Sequence, residues 1–447
     1  MRIWRGFEEE IFDMDYQESL SYLDELAAFG MKPGLRRVRR LLELLDQPQE
    51  RYRSIHVTGT NGKGSVSSML SRILRSSDIH VGLFTSPHLV SYTERIQIDG
   101  QPISEPDFAS CLSAVRVYVE QVTEEGEESP TQFEVLTATA FFYFAIRHVE
   151  YAVIEAGLGG LLDSTNVIVP EVAVITNVTM EHADKCGGTL EGIAHHKAGI
   201  IKEGIPVVTA ARGEALDIIR AEAESKNSDI FVEGEDFTAQ PISTDEHVQM
   251  LEFSSELLGV NQLAYELHLL GSYQRENSAL AIMTATLLHN VNADERVTRE
   301  HIVHALKLVD WPGRFERMDL GTQKIILDGA HNPAGVQALR ASLDAYFPSE
   351  QRIFLLGILK DKAIDVMLEE LLRPDDVVIV STPASERAAA PELLAREAGR
   401  LVRHAEAVAA PEQALQRALE LANGEHLLIV AGSLYLIGEL RRILLKM

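Results

Sequence analysis

The run Gly59-Thr60-Asn61-Gly62-Lys63-Gly64-Ser65 has the residue types needed to hold a polyphosphate. Glycines let backbone amides converge on phosphate oxygens, a following helix adds the positive end of its dipole, and Lys63 supplies a point charge for the β and γ phosphates. The flanks suit that role, since 55–58 reads as a strand and 66–76 as a helix. The common spacing of about four residues between the first glycine and the Gly-Lys pair is not met. Val57 stands where that glycine should be, and the loop is the shorter GxxGKGS. A plain glycine-rich turn is the bland alternative, but Gly, Gly-Lys and Ser between strand and helix favour phosphate binding.

Phosphoryl transfer needs a divalent metal, usually Mg2+, on a few oxygen ligands, because the metal neutralises charge on the moving group. Ser86 follows the strand 81–85, Glu155 ends the strand 151–155, and His182 lies six residues beyond the strand 172–176. The carboxyl ends of parallel strands face one crevice, which predicts these three beside the loop. Taken singly, Ser86 is a turn residue before Pro87, Glu155 a capping acid and His182 a surface residue. Their shared placement favours a site. In His195-His196-Lys197, adjacent helical residues point in different directions, so the pair of histidines reads as mostly solvated surface, with Lys197 as the exception.

These residues need a frame. From position 55 onward, short β-rich runs alternate with helices at 65–76 and 133–147, the pattern of a parallel α/β sheet. Between 231 and 270 the pattern becomes alternating and polar, which predicts a small antiparallel insert, followed by a helix over 273–289. Trp311-Pro312-Gly313 then halts regular structure. Strands near 324–328, 352–357, 377–381 and 426–431, alternating with helices, predict a second, smaller doubly wound sheet. The fold class expected is α/β: an N-terminal phosphate-loop ATPase domain over 1–297, a linker over 298–313, and a Rossmann-like domain over 314–447. The second sheet lacks GxGxxG after its first strand, so a dinucleotide is not indicated.

The 447 residues exceed one ordinary core, and 46% hydrophobic with 24% charged residues is globular composition. Lys plus Arg total 41 against 67 Asp plus Glu, and a charge of −26 repels nucleic acid and anionic membrane. Two cysteines, Cys111 and Cys186, make no disulfide framework and fit a reducing cytosol. The N-terminus lacks the apolar core of a signal peptide, and no run reaches the roughly 18 apolar residues of a membrane span. A cytoplasmic location is expected.

The motifs taken together resemble one family. They are 58–65 (TGTNGKGS), 85–89 (TSPHL), 94–96 (ERI), 131–134 (TQFE), 155–166 (EAGLGGLLDSTN), 197–200 (KAGI), 271–277 (GSYQREN), 312–316 (PGRFE), 328–333 (DGAHNP) and 432–439 (GSLYLIGE). In this order, over nearly the whole chain, they resemble folylpolyglutamate synthase and dihydrofolate synthase of the Mur ligase superfamily.

The resemblance implies ATP as co-substrate, a folate or dihydropteroate, and L-glutamate, with the second domain closing over them. It matches Ser86, Glu155 and His182 to magnesium ligands at two sites, and Lys197 to a lysine carried as a carbamate, an anionic oxygen ligand. Asn277, Arg314 and Asp328 match ATP contacts, and His331 falls in the same loop. Lys63, His331 and Lys197 are the catalytic candidates. Met31-Lys32-Pro33, Thr131-Gln132-Phe133 and Asp163-Ser164 match folate contacts, although Phe133 also reads as the start of an apolar helix. The family commonly has Arg at Leu161, Ala at Ser164, Asp at Glu181, Leu at Cys186 and Glu at His196. Leu161 and Ser164 bear on substrate preference. The expected reaction adds glutamate to a folate carboxylate through an acyl phosphate, by a monomer. Two alternatives stand beside it, a same-fold ligase acting on a cell-wall precursor and a non-catalytic ATP-binding regulator.

Overall fold

Runs of aliphatic residues that are buried along their length become the central strands of the two larger sheets. The computed structural model describes residues 14–28, 30, 32–181, 186–257, 259–290 and 294–447. The chain divides into two compact units. One comprises Met1–Thr238, Phe253–Leu263 and Glu276–Leu306, and the other Ala239–Glu252, Ala264–Arg275 and Lys307–Met447.

The first unit carries eight strands: β1 (Arg53–Thr58), β2 (Val81–Phe84), β3 (Ile96–Ile98), β4 (Gln101–Pro102), β5 (Tyr151–Glu155), β6 (Val172–Ile175), β7 (Val207–Thr209) and β8 (Ile230–Val232). Their order is β4-β3-β2-β5-β1-β6-β7-β8. β1 pairs in parallel with both β5 and β6, while only the β3–β2 and β3–β4 pairs are antiparallel. β1, β2, β5 and β6 are buried almost throughout, which is why they read as continuous apolar runs. Register sets Val57 beside Glu155 and Thr58 beside Ile175, so the carboxyl ends of the central strands lie level.

Helix Gln132–Ile146 is apolar all round and buried from Glu134 to Ala145. Such a helix must be covered on every side. Its Phe141, Phe142 and Phe144 share one core with Phe84, Phe108 and the N-terminal helices Tyr16–Ala27 and Arg36–Leu44. Those two helices escaped the sequence reading.

Among the boundaries that differ from expectation, two change which element a residue belongs to. The helix after the phosphate loop is Lys63–Ser76, beginning before Val66, so Lys63, Gly64 and Ser65 form its first turn. Phe231 belongs to β8 of the large sheet rather than to the insert. The insert itself is β9 (Thr238–Thr244), β10 (Gln249–Ser255) and β11 (Val260–Leu267), in the order β11-β10-β9. The connections are too short for a parallel crossover, so adjacent strands run antiparallel.

The second unit carries β12 (Glu316–Leu320), β13 (Gln323–Asp328), β14 (Arg352–Leu356), β15 (Val377–Val380), β16 (His404–Ala407) and β17 (Leu427–Ala431). The order is β12-β13-β17-β14-β15-β16. All pairs are parallel except the edge pair β12–β13. Both β12 and β16 are half-exposed edge strands, and their weak apolar signal hid them from the sequence reading.

Candidate functional site

The loop after β1 is fixed from β6. The Thr60 amide donates to the Asn177 carbonyl at 2.8 Å, and the Asn61 amide to the Asn177 side chain at 3.0 Å. The Thr176 hydroxyl donates to the Asn61 carbonyl at 2.6 Å. The Lys63 amine folds back on the loop, 3.1 Å from both the Gly59 and the Thr60 carbonyls. Gly62 has φ +86°, and a Cβ there would collide with the Asn277 side chain. No side chain caps helix Lys63–Ser76, whereas Ser104, Thr131 and Thr189 cap the neighbouring helices Glu105–Glu124, Gln132–Ile146 and Leu190–Ala198. The first-turn amides of a helix have no partner within it. This N-terminus therefore presents donors and the positive dipole end to an anion.

Ser86 and Glu155 meet at adjacent strand ends. The Ser86 amide donates to Glu155 Oε2 at 3.2 Å, at the ends of β2 and β5. Glu155 is buried. His182 lies outside the described residues. Among the described residues no group of three His, Cys, Asp or Glu side chains forms a metal cluster. A carboxylate and a hydroxyl are nevertheless the oxygen donors that magnesium prefers, and it commonly keeps waters and substrate phosphates in the rest of its shell.

On helix Leu190–Ala198, His195 is exposed, His196 half-buried and Lys197 buried. Burial pulls the Lys197 ammonium down to about 7, the Lys63 charge adds to this, and Cys186, Glu181 and Asp163 oppose it. Near pH 7 Lys197 therefore exchanges readily between its neutral and charged forms.

The expected folate residues line two segments. Thr131 caps helix Gln132–Ile146 in a capping box with Glu134. Glu134 Oε2 also accepts from Arg37 Nε at 3.1 Å, and Arg37 in turn donates to the Lys32 carbonyl at 2.6 Å. Gln132 donates to the Leu23 carbonyl and the Tyr92 hydroxyl. Phe133 stacks on Phe84 and covers Gly157, where a Cβ would strike its ring. Ser164 bonds the Thr137 hydroxyl at 2.7 Å. Asp163 accepts the Leu158 amide at 2.8 Å and the Thr165 amide at 3.0 Å; burial pushes its pKa up, and these bonds oppose the shift. Pro33 is exposed, and Met31 lies outside the described residues.

In the second unit Asp328 ends β13. Its Oδ2 accepts from the Tyr273 hydroxyl at 2.9 Å and the Phe315 amide at 2.8 Å, and its Oδ1 from the Ala330 amide at 2.8 Å. Burial raises its pKa, against the neighbouring Arg314 guanidinium. His331 Nδ1 donates to the Gly329 carbonyl at 2.7 Å. Asn332 caps helix Pro333–Tyr346.

The sequence reading did not single out Asn177, Arg37, Tyr92 or Tyr273. Asn177 stood just past a predicted strand end, the same signal that marked Ser86. The others are identified by hydrogen bonds that span long sequence separations.

Residues 57–285 match the Mur ligase middle domain and residues 313–434 the glutamate ligase domain of Mur ligases. An uncapped phosphate loop on a parallel sheet, followed by that second domain, defines an ATP-dependent ligase of the Mur type. The dihydrofolate synthase/folylpolyglutamate synthase of Bacillus subtilis is 37% identical over 365 residues, covering 80% of this chain and 82% of the relative. The Mycobacterium tuberculosis folylpolyglutamate synthase complexed with ADP and AMPPCP superposes with a TM-score of 0.85 at 32% identity, over 96% of this chain and 99% of that one. A folylpolyglutamate synthase complexed with AMPPCP and folate gives 0.82 at 32% identity, over 97% and 100%. The chain belongs to the folylpolyglutamate synthase/dihydrofolate synthase family.

Proposed function

We propose that this enzyme joins L-glutamate to a folate-type carboxylate, consuming ATP and releasing ADP and phosphate. The observation that carries the reading is the uncapped first turn of helix Lys63–Ser76 behind a glycine loop pinned by Thr176 and Asn177. Family membership supplies the substrate class: relatives are named for folate glutamylation, and one was crystallised with folate and an ATP analogue.

A carboxylate is a poor acylating agent at neutral pH. Its oxygen attacks the γ phosphorus, the bond to the β-phosphate oxygen breaks, and ADP leaves. The glutamate amine then attacks the acyl carbon, loses a proton and expels phosphate. In this reading Lys63 releases its loop carbonyls to pair with the transferring phosphoryl group, an electrostatic role. Asn277, Arg314 and Asp328 are assigned to the nucleotide, His331 to the γ or acyl phosphate, and residues 314–447 to the domain that completes the reaction. Lys32, Pro33, Thr131, Gln132, Phe133, Asp163 and Ser164, with Met31, are assigned to the folate.

Magnesium, when bound, neutralises charge on the phosphates. Ser86, Glu155 and His182 are the residues that would hold it, together with Lys197 as a carbamate. The neutral Lys197 amine adds to carbon dioxide and loses one proton, giving an anionic oxygen donor at a position where an ammonium would repel the cation. The proposal takes the enzyme to be a cytoplasmic monomer. No helix among the described residues is long and apolar enough to cross a membrane.

The test is ADP release from ATP, magnesium and glutamate with either dihydropteroate or tetrahydrofolate as acceptor. Turnover that requires both glutamate and a folate supports the reading. Turnover on a cell-wall precursor instead, or nucleotide binding with no turnover on any acid, overturns it.

A further inference from the structure

His56 is completely buried in the middle of β1, three residues before the phosphate loop begins. Its Nε2 lies 2.9 Å from the Thr165 hydroxyl, and that hydroxyl lies 2.5 Å from Asp163 Oδ1. The direction of this relay follows from counting protons. A threonine hydroxyl has one proton and an ionised carboxylate only accepts. Thr165 therefore donates to Asp163, and His56 donates from Nε2. Its Nδ1, left as a bare lone pair, is a buried atom without a hydrogen-bond partner. Burial, helped by the Lys202 charge, pulls the imidazole down to about 3, so the ring stays neutral and keeps this tautomer.

The segment 157–166 needs such anchoring, because Gly157, Gly159 and Gly160 provide no side chains to pack. Its early part is tied by the Thr58 hydroxyl to the Gly159 carbonyl, and Leu161 donates to the His196 carbonyl at 2.7 Å. Its far end is held where Lys202 donates to Asn166 Oδ1 at 2.7 Å and Asn166 donates to the Gly199 carbonyl at 2.9 Å. The Asp163 carboxylate lies between these ties.

We infer that His56 is a positioning residue for the folate end of the site: through Thr165 it fixes the Asp163 carboxylate, without acting on the nucleotide. This rests on the assignment of Asp163 to the folate. The selectivity comes from β1 itself. The His56 backbone is paired opposite Ile154 on one side and Ala173 on the other, so the strand and the loop that follows keep their course when the imidazole is replaced.

The experiment measures KM for tetrahydrofolate and for ATP in H56F, T165V and the double variant, with H56Q and T165S as conservative replacements that keep a donor or a hydroxyl. Losing one buried hydrogen bond in H56F, or two in T165V, corresponds to a rise of about tenfold or more in folate KM, with ATP KM within about twofold of wild type. The double variant is expected to be no worse than the worse single one, since both cut one relay. H56Q and T165S are expected to recover most of the folate affinity. Parallel rises in both KM values, or a T165V enzyme with unchanged folate KM, overturn the relay. D163N separates the two levels: an unchanged folate KM in D163N overturns the Asp163 assignment, whereas an impaired D163N beside a normal T165V overturns the relay alone. If H56F does not fold, T165V against T165S decides, because Val and Thr are nearly the same size.

Discussion

The Asn277 side chain occupies the space that a Cβ on Gly62 would need. The contact joins the phosphate loop to the start of helix Gln274–Asn290, more than two hundred residues later in the chain. Gly62 also has φ +86°, a conformation that costs an L-residue about 1–2 kcal/mol. Gly62→Ala is therefore expected to move the loop or Asn277. Its affinity for a non-hydrolysable ATP analogue should fall by about tenfold or more, since about 1.4 kcal/mol is a factor of ten. Calorimetric titration checks this, and wild-type affinity in the variant would remove Gly62 from the nucleotide site.

That contact also shows what the sequence could not supply. Strand, glycine loop and helix are local, so 55–76 was legible, as were the continuous apolar runs of β1, β2, β5 and β6. Ser86 and Glu155 could be paired because strand ends in a parallel sheet converge. The loop's support by Asn177, the Arg37–Glu134 pair between two helices and the His56–Thr165–Asp163 relay from strand to loop depend on packing between segments far apart in the chain, which no single segment encodes. The N-terminal helices were hidden for another reason: α-helix Arg36–Leu44 is RRVRRLLEL, whose charge masks the buried Val38, Leu41 and Leu42.

The Lys63 amine holds two carbonyls of its own loop. Lys63→Ala should leave the fold intact, because the amine is only half-buried and its contacts are to its own loop. Folate- and glutamate-dependent ADP release should drop by about a hundredfold or more, the scale for removing a group that stabilises transition-state charge. A release rate near wild type would sink the assignment.

Lys197 should be modified in the active enzyme. Protein exchanged into 13C-bicarbonate is expected to show a carbamate carbon resonance that is missing from Lys197→Ala. The variant should lose activity by about tenfold or more, as ligand-shell changes do. Added bicarbonate should not restore it, since no amine remains to react. A variant with unchanged turnover would remove Lys197 from the site.

Acid should unfold the protein partly through two desolvated imidazoles, the buried His56 and the half-buried His88. His56 is held at about 3 by burial and by Lys202, and His88 at about 4 by burial and by Arg95. Both values lie below the ordinary 6.5, so in the window between them the unfolded chain binds more protons than the folded one. The sign follows: this stability is fully present above about pH 6.5 and is lost as pH falls toward the folded-state values. The buried Asp163 and Asp328 shift upward and act in the opposite sense, so the histidine contribution is read as a difference between proteins. Across pH 6 to 4.5, wild type should lose stability faster than His56→Gln by up to one proton, about 1.4 kcal/mol per pH unit. Urea midpoints measured at several pH values test this. Parallel curves for the two proteins would show that His56 gains a proton in the folded state, and with it that the relay to Thr165 is not built on a neutral ring.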